Sequence, residues 1–416
     1  MLDSTRDPNL QTELARERTR RVSLGFINWA HALDHYVLLI YPTVVLGLQA
    51  VYSRTYGELI ALGTASYVAF GVFSLPAGLL ADRWSRRNMM LLFYAGCGVS
   101  LLAAGMAPNL IVLACALFAL GVFGAIYHPV GTAMLVEQAR LRGRALALNG
   151  VCGNFGAALA AGITAALVAG LGWRAAFLVP GVVCLVSAVL FVRFIPRDTH
   201  QTKARGTVAE VPLVVWMAAT MFALFIVISL CAGLVFHIVS VALPKILDER
   251  MGNDLPLIFV GGLATTIFFC GALSQLAVGR LVERVQPHIL FALIAGLQFI
   301  GVLWAAQATG IWLILALALA MAGIYGQVTV NDLVIARYTA DAWRGRVYAV
   351  RYFLTFLVSG VAISAIAFLH SRGGFPLVLG ITAVIALGFL VATTAVALLV
   401  HGIEKARTAG TVVPAE

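Results

Sequence analysis

The amino-acid sequence predicts an all-α polytopic membrane protein in which twelve transmembrane helices form two pseudo-symmetric six-helix bundles. Of its 416 residues, 61% are hydrophobic and only 11% are charged, which leaves too little polar surface for a water-soluble protein. Residues 88–136 contain no Asp, Glu, Lys or Arg, and at about 1.5 Å per helical residue this run crosses a bilayer core of roughly 30 Å twice. Apolar runs of this length favour helices, since the strands of membrane barrels are only about ten residues long.

The second half of the chain repeats features of the first half. Gly121 and Gly124 recur 202 residues later as Gly323 and Gly326. The same offset relates His35 to His237, Pro42 to Pro244, Gly172 to Gly374, and Arg142-Gly143-Arg144 to Arg344-Gly345-Arg346. Self-similarity over half the length is typical of a duplicated membrane bundle with parallel halves.

The apolar runs and the loop charges define a topology. The predicted spans are residues 23–50, 57–81, 88–107, 110–136, 144–170, 174–194, 213–245, 255–279, 286–307, 311–336, 345–370 and 375–401. Of the 28 Lys and Arg residues, 23 fall on one side of these spans and 5 on the other. By the positive-inside rule the side with 23 is the cytoplasm, so we predict that both termini are cytoplasmic and that the protein lies in a bacterial-type inner membrane. The chain then divides into a tail (1–22), an amino-terminal bundle (23–195), a cytoplasmic linker (196–212), a carboxy-terminal bundle (213–402) and a second tail (403–416).

Several functional classes are disfavoured by the sequence. The net charge of +10 is spread over short loops, so a nucleic-acid partner is not expected. The chain contains no nucleotide-binding loop and no H-E-x-x-H pair, so neither ATP-driven pumping nor intramembrane metalloenzyme activity is expected. All six cysteines lie in apolar runs, which disfavours a disulfide framework. The first 22 residues hold no apolar core, so we expect no cleavable signal peptide.

Two groups of motifs carry a family resemblance. Residues 78–87 read Gly-Leu-Leu-Ala-Asp-Arg-Trp-Ser-Arg-Arg between the second and third spans, and they resemble the signature loop of the major facilitator superfamily, with Ser85 where the family usually has glycine. Tyr127-His128-Pro129, Arg142-Gly143-Arg144 and Gly153-Asn154-Phe155-Gly156 resemble the fosmidomycin-resistance group of exporters within it. The resemblance implies a carrier whose first, fourth, seventh and tenth spans line a central cavity, closed on the cytoplasmic side by the charged loops.

Polar residues in the first span form the densest candidate site. An ionisable group at mid-bilayer costs about 2.5–3.5 kcal/mol on insertion scales, so each one is a functional candidate. His31, Asp34 and His35 fall on one arc of roughly 100°, and Asp34 lies roughly 16 Å from the start of the span, near the midplane. A lone carboxyl group at that depth avoids the charge penalty by holding a proton. We therefore predict that Asp34, His31 and His35 couple transport to protons, although a buried histidine can also be a purely structural neutral imidazole.

Other intramembrane polar residues are assigned to the cavity or to the gate. The predicted substrate cavity contains Asn28, Tyr36, His128, Asn154, His237, Asn331, Asp332 and Arg351. Asp332 and Arg351 can alternatively form a structural ion pair between neighbouring spans. The predicted cytoplasmic gate contains Gly78, Asp82, Arg83, Arg86, Arg142, Arg144, Glu283, Arg344 and Arg346.

The sequence thus predicts a secondary transporter and no enzyme. Its predicted partners are the lipid bilayer, protons and a small-molecule substrate, and the proton gradient replaces any cofactor. The resemblance favours efflux, by alternating access, of a small amphipathic or anionic compound. The alternative is a transition-metal or metal-chelate transporter in which His31, Asp34 and His35 hold a divalent metal as substrate, because imidazole and carboxylate ligands suit such ions.

Overall fold

The computed structural model describes residues 8–196, 215–251, 255–338 and 341–408, and thirteen helices account for the regular secondary structure in these ranges. They are α1 (Pro8–Tyr52), α2 (Tyr56–Leu62), α3 (Thr64–Arg83), α4 (Arg86–Gly105), α5 (Leu110–Gly124), α6 (Tyr127–Gln138), α7 (Arg142–Leu171), α8 (Ala175–Phe194), α9 (Val215–Arg250), α10 (Leu257–Leu281), α11 (Pro287–Gln307), α12 (Gly310–Tyr338) and α13 (Asp341–Thr408). The predicted linker lies outside the described residues except for Pro196, and so do the ends of both predicted tails.

These helices make twelve membrane crossings. Eleven stretches within the described ranges are long and apolar enough to span a bilayer, and the last of them covers residues Phe353–Gly402. This stretch is interrupted at Gly373 and Gly374, where the backbone leaves the helical conformation, so it accounts for two crossings. The predicted fold class is therefore confirmed.

The internal repeat is visible in the backbone. Gly172 has φ +85° at the end of α7, and its counterpart Gly374 has φ +59° at the break in α13. These left-handed conformations favour glycine, which lacks a Cβ atom. Buried aromatic residues follow both turns, Trp173 in the first half and Phe375 in the second. Each glycine therefore lets the chain reverse into the final crossing of its half.

The fourth crossing is discontinuous, whereas the sequence predicted one helix over residues 110–136. Helix α5 ends at Gly124 and α6 begins at Tyr127. Pro129 lies in the first turn of α6, where proline is well tolerated because its missing N–H group would have no partner within the helix. The break places Tyr127 and His128 at the start of α6.

The two halves meet along α3 with α13 and along α7 with α10. A Cβ atom on Gly71 would lie 2.7 Å from the carbonyl oxygen of Phe356, so the backbones of α3 and α13 are in direct contact there. The Gly162 N–H of α7 donates to Oγ1 of Thr265 in α10 over 3.0 Å. Small residues allow such close approach in membrane bundles, where dispersion and hydrogen bonds drive association.

Candidate functional site

Close packing of α1 against α7 creates the site. A Cβ atom on Gly156 would lie 1.9 Å from the carbonyl oxygen of Ala32, and one on Gly153 would lie 2.6 Å from Nε2 of His31. The backbone contact requires glycine at position 156, whereas a larger residue at position 153 would push the His31 ring aside. The two glycines allow His31 to lie directly against the backbone of α7.

A hydrogen-bond network orients the His31 ring. Nδ1 of His31 lies 2.7 Å from the carbonyl oxygen of Asn149 in α7. The amide of Asn149 donates to Oδ1 of Asn28 over 3.0 Å and accepts from the Tyr127 hydroxyl over 3.0 Å. The Tyr127 ring also stacks on His31, with centroids 4.8 Å apart. Since a carbonyl can only accept, Nδ1 carries the proton of neutral His31 and Nε2 carries the lone pair.

Three histidines converge beside this network. Nε2 of His35 lies 3.1 Å from Nε2 of His31, and His128 approaches both rings from α6. One potential ligand atom from each histidine lies within 4.8 Å of the others. The His128 side chain is 20% exposed, so this cluster is accessible from one side. The sequence grouped His31 and His35 with Asp34 as candidate metal ligands, whereas the ligand atoms that lie together among the described residues belong to His31, His35 and His128.

Asp34 lies behind the histidines and faces His128. Its side chain is fully buried, and Oδ2 lies 3.3 Å from Nε2 of His128. Neither carboxyl oxygen has a hydrogen-bond partner within the described part of the chain. The position where a Cβ atom of Gly124 would stand is 3.6 Å from Oδ1, so the last turn of α5 also borders the carboxyl group. A buried carboxyl without donors is stabilised by a proton or by a neighbouring cation.

Aromatic rings from both halves pack against His128. The Phe356 ring from α13 lies 4.8 Å from the His128 ring, and the Phe70 ring from α3 lies 6.1 Å from it. The two phenylalanine rings also contact each other edge to face at 5.0 Å. The carboxy-terminal half thus contributes directly to a site whose polar groups come from the amino-terminal half.

His237 lies on α9, the helix in which the repeat places it. Its ring packs 6.1 Å from the Tyr67 ring, and its Nε2 atom has no hydrogen-bond partner among the described residues. Tyr36 is buried on α1, one residue beyond His35. Asn154 donates a hydrogen bond to Gln275 and therefore lies where α7 meets α10.

The polar residues of α12 and α13 form a second group. Asp332 and Arg351 make an ion pair, the structural alternative that the sequence left open. Asn331 is buried, and its Oδ1 atom has no hydrogen-bond partner in the described ranges. Gln327, one turn earlier and not singled out from the sequence, also has an unpartnered buried carbonyl oxygen there. These oxygens offer acceptors to a ligand.

The predicted gate residues lie at the predicted cytoplasmic face. Arg86 bonds Asp82 over 3.0 Å and Glu137 over 3.0 Å, which ties the signature loop to the end of α6. Gly78 packs near Pro129, since its Cβ position is 3.3 Å from the proline ring. Arg83, Arg144 and Glu283 are exposed. The side chains of Arg142, Arg344 and Arg346 lie outside the described residues, so the gate stays a prediction.

Sequence reasoning missed four contributors to the site. Asn149 and Tyr127 orient His31, and Phe70 and Phe356 pack against His128. Asn149 was detectable in principle, because it is a polar residue in an apolar span one turn before Gly153. The phenylalanines gave no signal, since their role depends on the contact between the two halves.

Comparison with known proteins gives one family. The sequence profile of the Major Facilitator Superfamily matches residues 24–331. The chain is 27% identical over 264 residues to the "Probable 4-methylmuconolactone transporter" of Cupriavidus pinatubonensis, which covers 58% of each chain. It is 26% identical over 330 residues to the "Nitrite extrusion protein" of Bacillus subtilis, which covers 77% of each. The fold is similar to that of a bacterial homologue of the human lysosomal transporter Spinster in an inward-facing and occupied conformation, with a TM-score of 0.69. The two chains are 13% identical, and the match covers 91% of this chain and 94% of that one.

Proposed function

Because the chain belongs to the Major Facilitator Superfamily, we propose that it is a proton-coupled exporter that moves a small amphipathic or anionic compound across the inner membrane by alternating access. The observation that carries this proposal is the buried pair of Asp34 and His128. The pair joins α1 to α6 at the break in the fourth crossing, and discontinuous helices are typical of transporter binding sites.

Electrostatics supplies the reason for coupling. An ionised carboxyl at this depth is disfavoured by about 2.5–3.5 kcal/mol on insertion scales, so charged Asp34 needs a cation beside it. Protonated His128, at 3.3 Å, provides that cation, and a proton on Asp34 removes the need for it. Rearrangement of the two halves is then favourable only when the pair carries no unbalanced charge. Proton binding on one side and release on the other would follow from this condition.

His31 and His35 extend the path of the proton. Their Nε2 atoms are 3.1 Å apart, a distance over which imidazoles share a proton. Asn149 fixes the His31 ring from behind, so only Nε2 is available for exchange. We propose that these two histidines pass protons between the Asp34–His128 pair and the predicted substrate cavity.

Two features support an amphipathic or anionic substrate. The Phe70 and Phe356 rings pack beside His128, where their separation during rearrangement of the two halves would present apolar surface to a substrate. Arg351 could receive an anionic group if the substrate displaced Asp332 from the ion pair. By its name, the Bacillus subtilis relative extrudes nitrite, an anion, and the Cupriavidus pinatubonensis relative transports an organic compound. Both names support a small solute and leave its identity to experiment.

A transition-metal ion or its chelate is the second candidate cargo. The observation that favours it is the convergence of His31, His35 and His128. Imidazole nitrogens bind first-row divalent metals well, and the cluster lies beside the proposed path of the substrate.

The proposal is tested with purified protein in liposomes that enclose a pH-sensitive dye. A panel of aromatic acids, nitrite, amphipathic cations and Zn²⁺ is offered with and without a pH gradient. We expect at least one compound to be transported with an opposing, stoichiometric proton movement. Transport of a compound without any proton movement would refute the coupling.

A further inference from the structure

We infer that His31, His35 and His128 form a binding site for a first-row divalent transition-metal ion of the Zn²⁺ and Co²⁺ type. The site lies between α1 and α6, with α7 behind it. The inference concerns metal binding itself. It holds whether the metal is carried, or only bound, and it does not depend on proton coupling.

The spacing of the ring nitrogens fits tetrahedral coordination. Metal-to-nitrogen distances of about 2.0–2.1 Å place two nitrogen ligands about 3.3–3.4 Å apart. The Nε2 atoms of His31 and His35 are already 3.1 Å apart. One nitrogen of His128 completes a group whose members all lie within 4.8 Å of one another. A side-chain movement on the order of 1 Å would bring His128 to the coordinating distance.

The surroundings of the rings are those that metal-bound histidines require. A ligating histidine usually donates its second N–H to a carbonyl or carboxylate, which fixes the tautomer and the ring orientation. His31 does this through Nδ1 to the Asn149 carbonyl oxygen, 2.7 Å away. Nε2 of His128 lies beside the Asp34 carboxyl at 3.3 Å. His31 therefore already has the outer partner that presents its Nε2 atom to a metal, and the Asp34 carboxyl lies next to His128 in the position of such a partner.

Gly153 lies against the face of the His31 ring. A Cβ atom there would lie 2.6 Å from Nε2 and 2.7 Å from Cε1, so the absence of a side chain lets the ring keep the orientation in which the Nε2 lone pair points toward His35. Asp34 supplies carboxyl oxygens that lack hydrogen-bond partners in the described part of the chain, so a fourth ligand or an outer partner is at hand. Three neutral nitrogen ligands select Zn²⁺, Co²⁺, Ni²⁺ or Cu²⁺ over Mg²⁺ and Ca²⁺, which prefer oxygen.

The test uses the full-length protein, purified through a tag that contains no histidine, and Co²⁺ as a spectroscopic probe. We expect one Co²⁺ per protein, a visible absorption spectrum of tetrahedral coordination, and displacement by Zn²⁺. His31→Gln, His35→Gln and His128→Gln should each weaken Co²⁺ binding by about 100-fold or more, since loss of a mere outer partner already weakens binding about 10–100-fold. His370→Gln, which changes a histidine paired with Glu249, and His401→Gln, which changes an exposed histidine near the end of α13, are the matched controls, and they should leave the affinity unchanged.

A variant that keeps all three ligands guards against misfolding. Gly153→Ala should weaken Co²⁺ binding by about 10-fold or more, because the new methyl group displaces His31 from its position. X-ray absorption spectra of the Zn²⁺-loaded wild-type protein should show three imidazole ligands at about 2.0 Å. Absence of stoichiometric binding, a sulfur ligand from one of the six cysteines, or equal losses in the control variants would each overturn the site.

Discussion

Gly156→Ala tests whether close contact between α1 and α7 holds the candidate site together. The added Cβ atom would lie 1.9 Å from the Ala32 carbonyl oxygen, and contacts under 3.0 Å essentially never occur. The two helices must therefore separate by roughly 1 Å at this point. That displacement stretches the 2.7 Å contact between His31 Nδ1 and the Asn149 oxygen beyond hydrogen-bonding distance.

The expected loss of stability combines two effects. Overpacking in a tight interface costs about 1–3 kcal/mol, and loss of one hydrogen bond costs about 0.5–1.5 kcal/mol, so we expect about 1.5–4.5 kcal/mol in total. Gly170→Ala in the same helix is the matched control, because nothing lies within 4 Å of its Cβ position. The control should be neutral or slightly stabilising, since alanine favours a helix more than glycine does.

Unfolding of both variants is followed in detergent by circular dichroism against denaturant. The free energy of unfolding of Gly156→Ala should fall well below those of wild type and Gly170→Ala. Equal stability of the two variants would refute the reasoning, because it would mean that α1 and α7 are not in direct backbone contact.

Three further predictions address topology, the gate and the second polar group. In a variant without native cysteines, a cysteine at position 252 should react with an impermeant thiol reagent from the periplasmic side and one at position 203 should not; the reverse labelling would overturn the predicted orientation. Asp82→Asn removes one partner of Arg86 and should shift the population toward the inward-open state. Distances between spin labels on the cytoplasmic faces of the two halves would measure this shift, and unchanged distances would remove Asp82 from the gate. Asp332→Asn should lower the thermal stability more than Arg351→Gln does, because it leaves the charge of Arg351, which is 8% exposed, without its partner in the interior, whereas Arg351→Gln leaves Asp332, which is 38% exposed, in contact with solvent. Equal losses would contradict a structural ion pair.

The sequence predicts the architecture well, because the bilayer imposes strong constraints. Apolar length fixes the number of crossings, and the internal repeat places matching turns at Gly172 and Gly374. The break before Tyr127 was not predicted, although Pro129 in the first turn of α6 favours a helix start there. Apolar composition is the same on either side of such a break, so hydropathy alone cannot locate it.

The sequence placed His31, Asp34, His35 and His128 among the candidate residues, but it indicated only some of their contacts. Helical spacing correctly brings His31 and His35 together, since they lie one turn apart on α1. The same spacing groups Asp34 with them, whereas the structure turns Asp34 toward His128 on α6. Contacts between helices depend on how closely they pack, and here Gly153 and Gly156 set that distance. Their effect on His31 follows only from the three-dimensional arrangement.

The most direct test of the proposed coupling is transport by Asp34→Asn in liposomes, with any substrate that the panel identifies. The amide keeps the shape of the carboxyl group but cannot bind and release a proton. We predict that uptake driven by a pH gradient is abolished in Asp34→Asn while substrate exchange at equal pH persists. The control is Asp248→Asn, which changes a carboxyl group paired with Lys245 on α9 and should retain both activities. Gradient-driven uptake at the wild-type rate in Asp34→Asn would contradict the account.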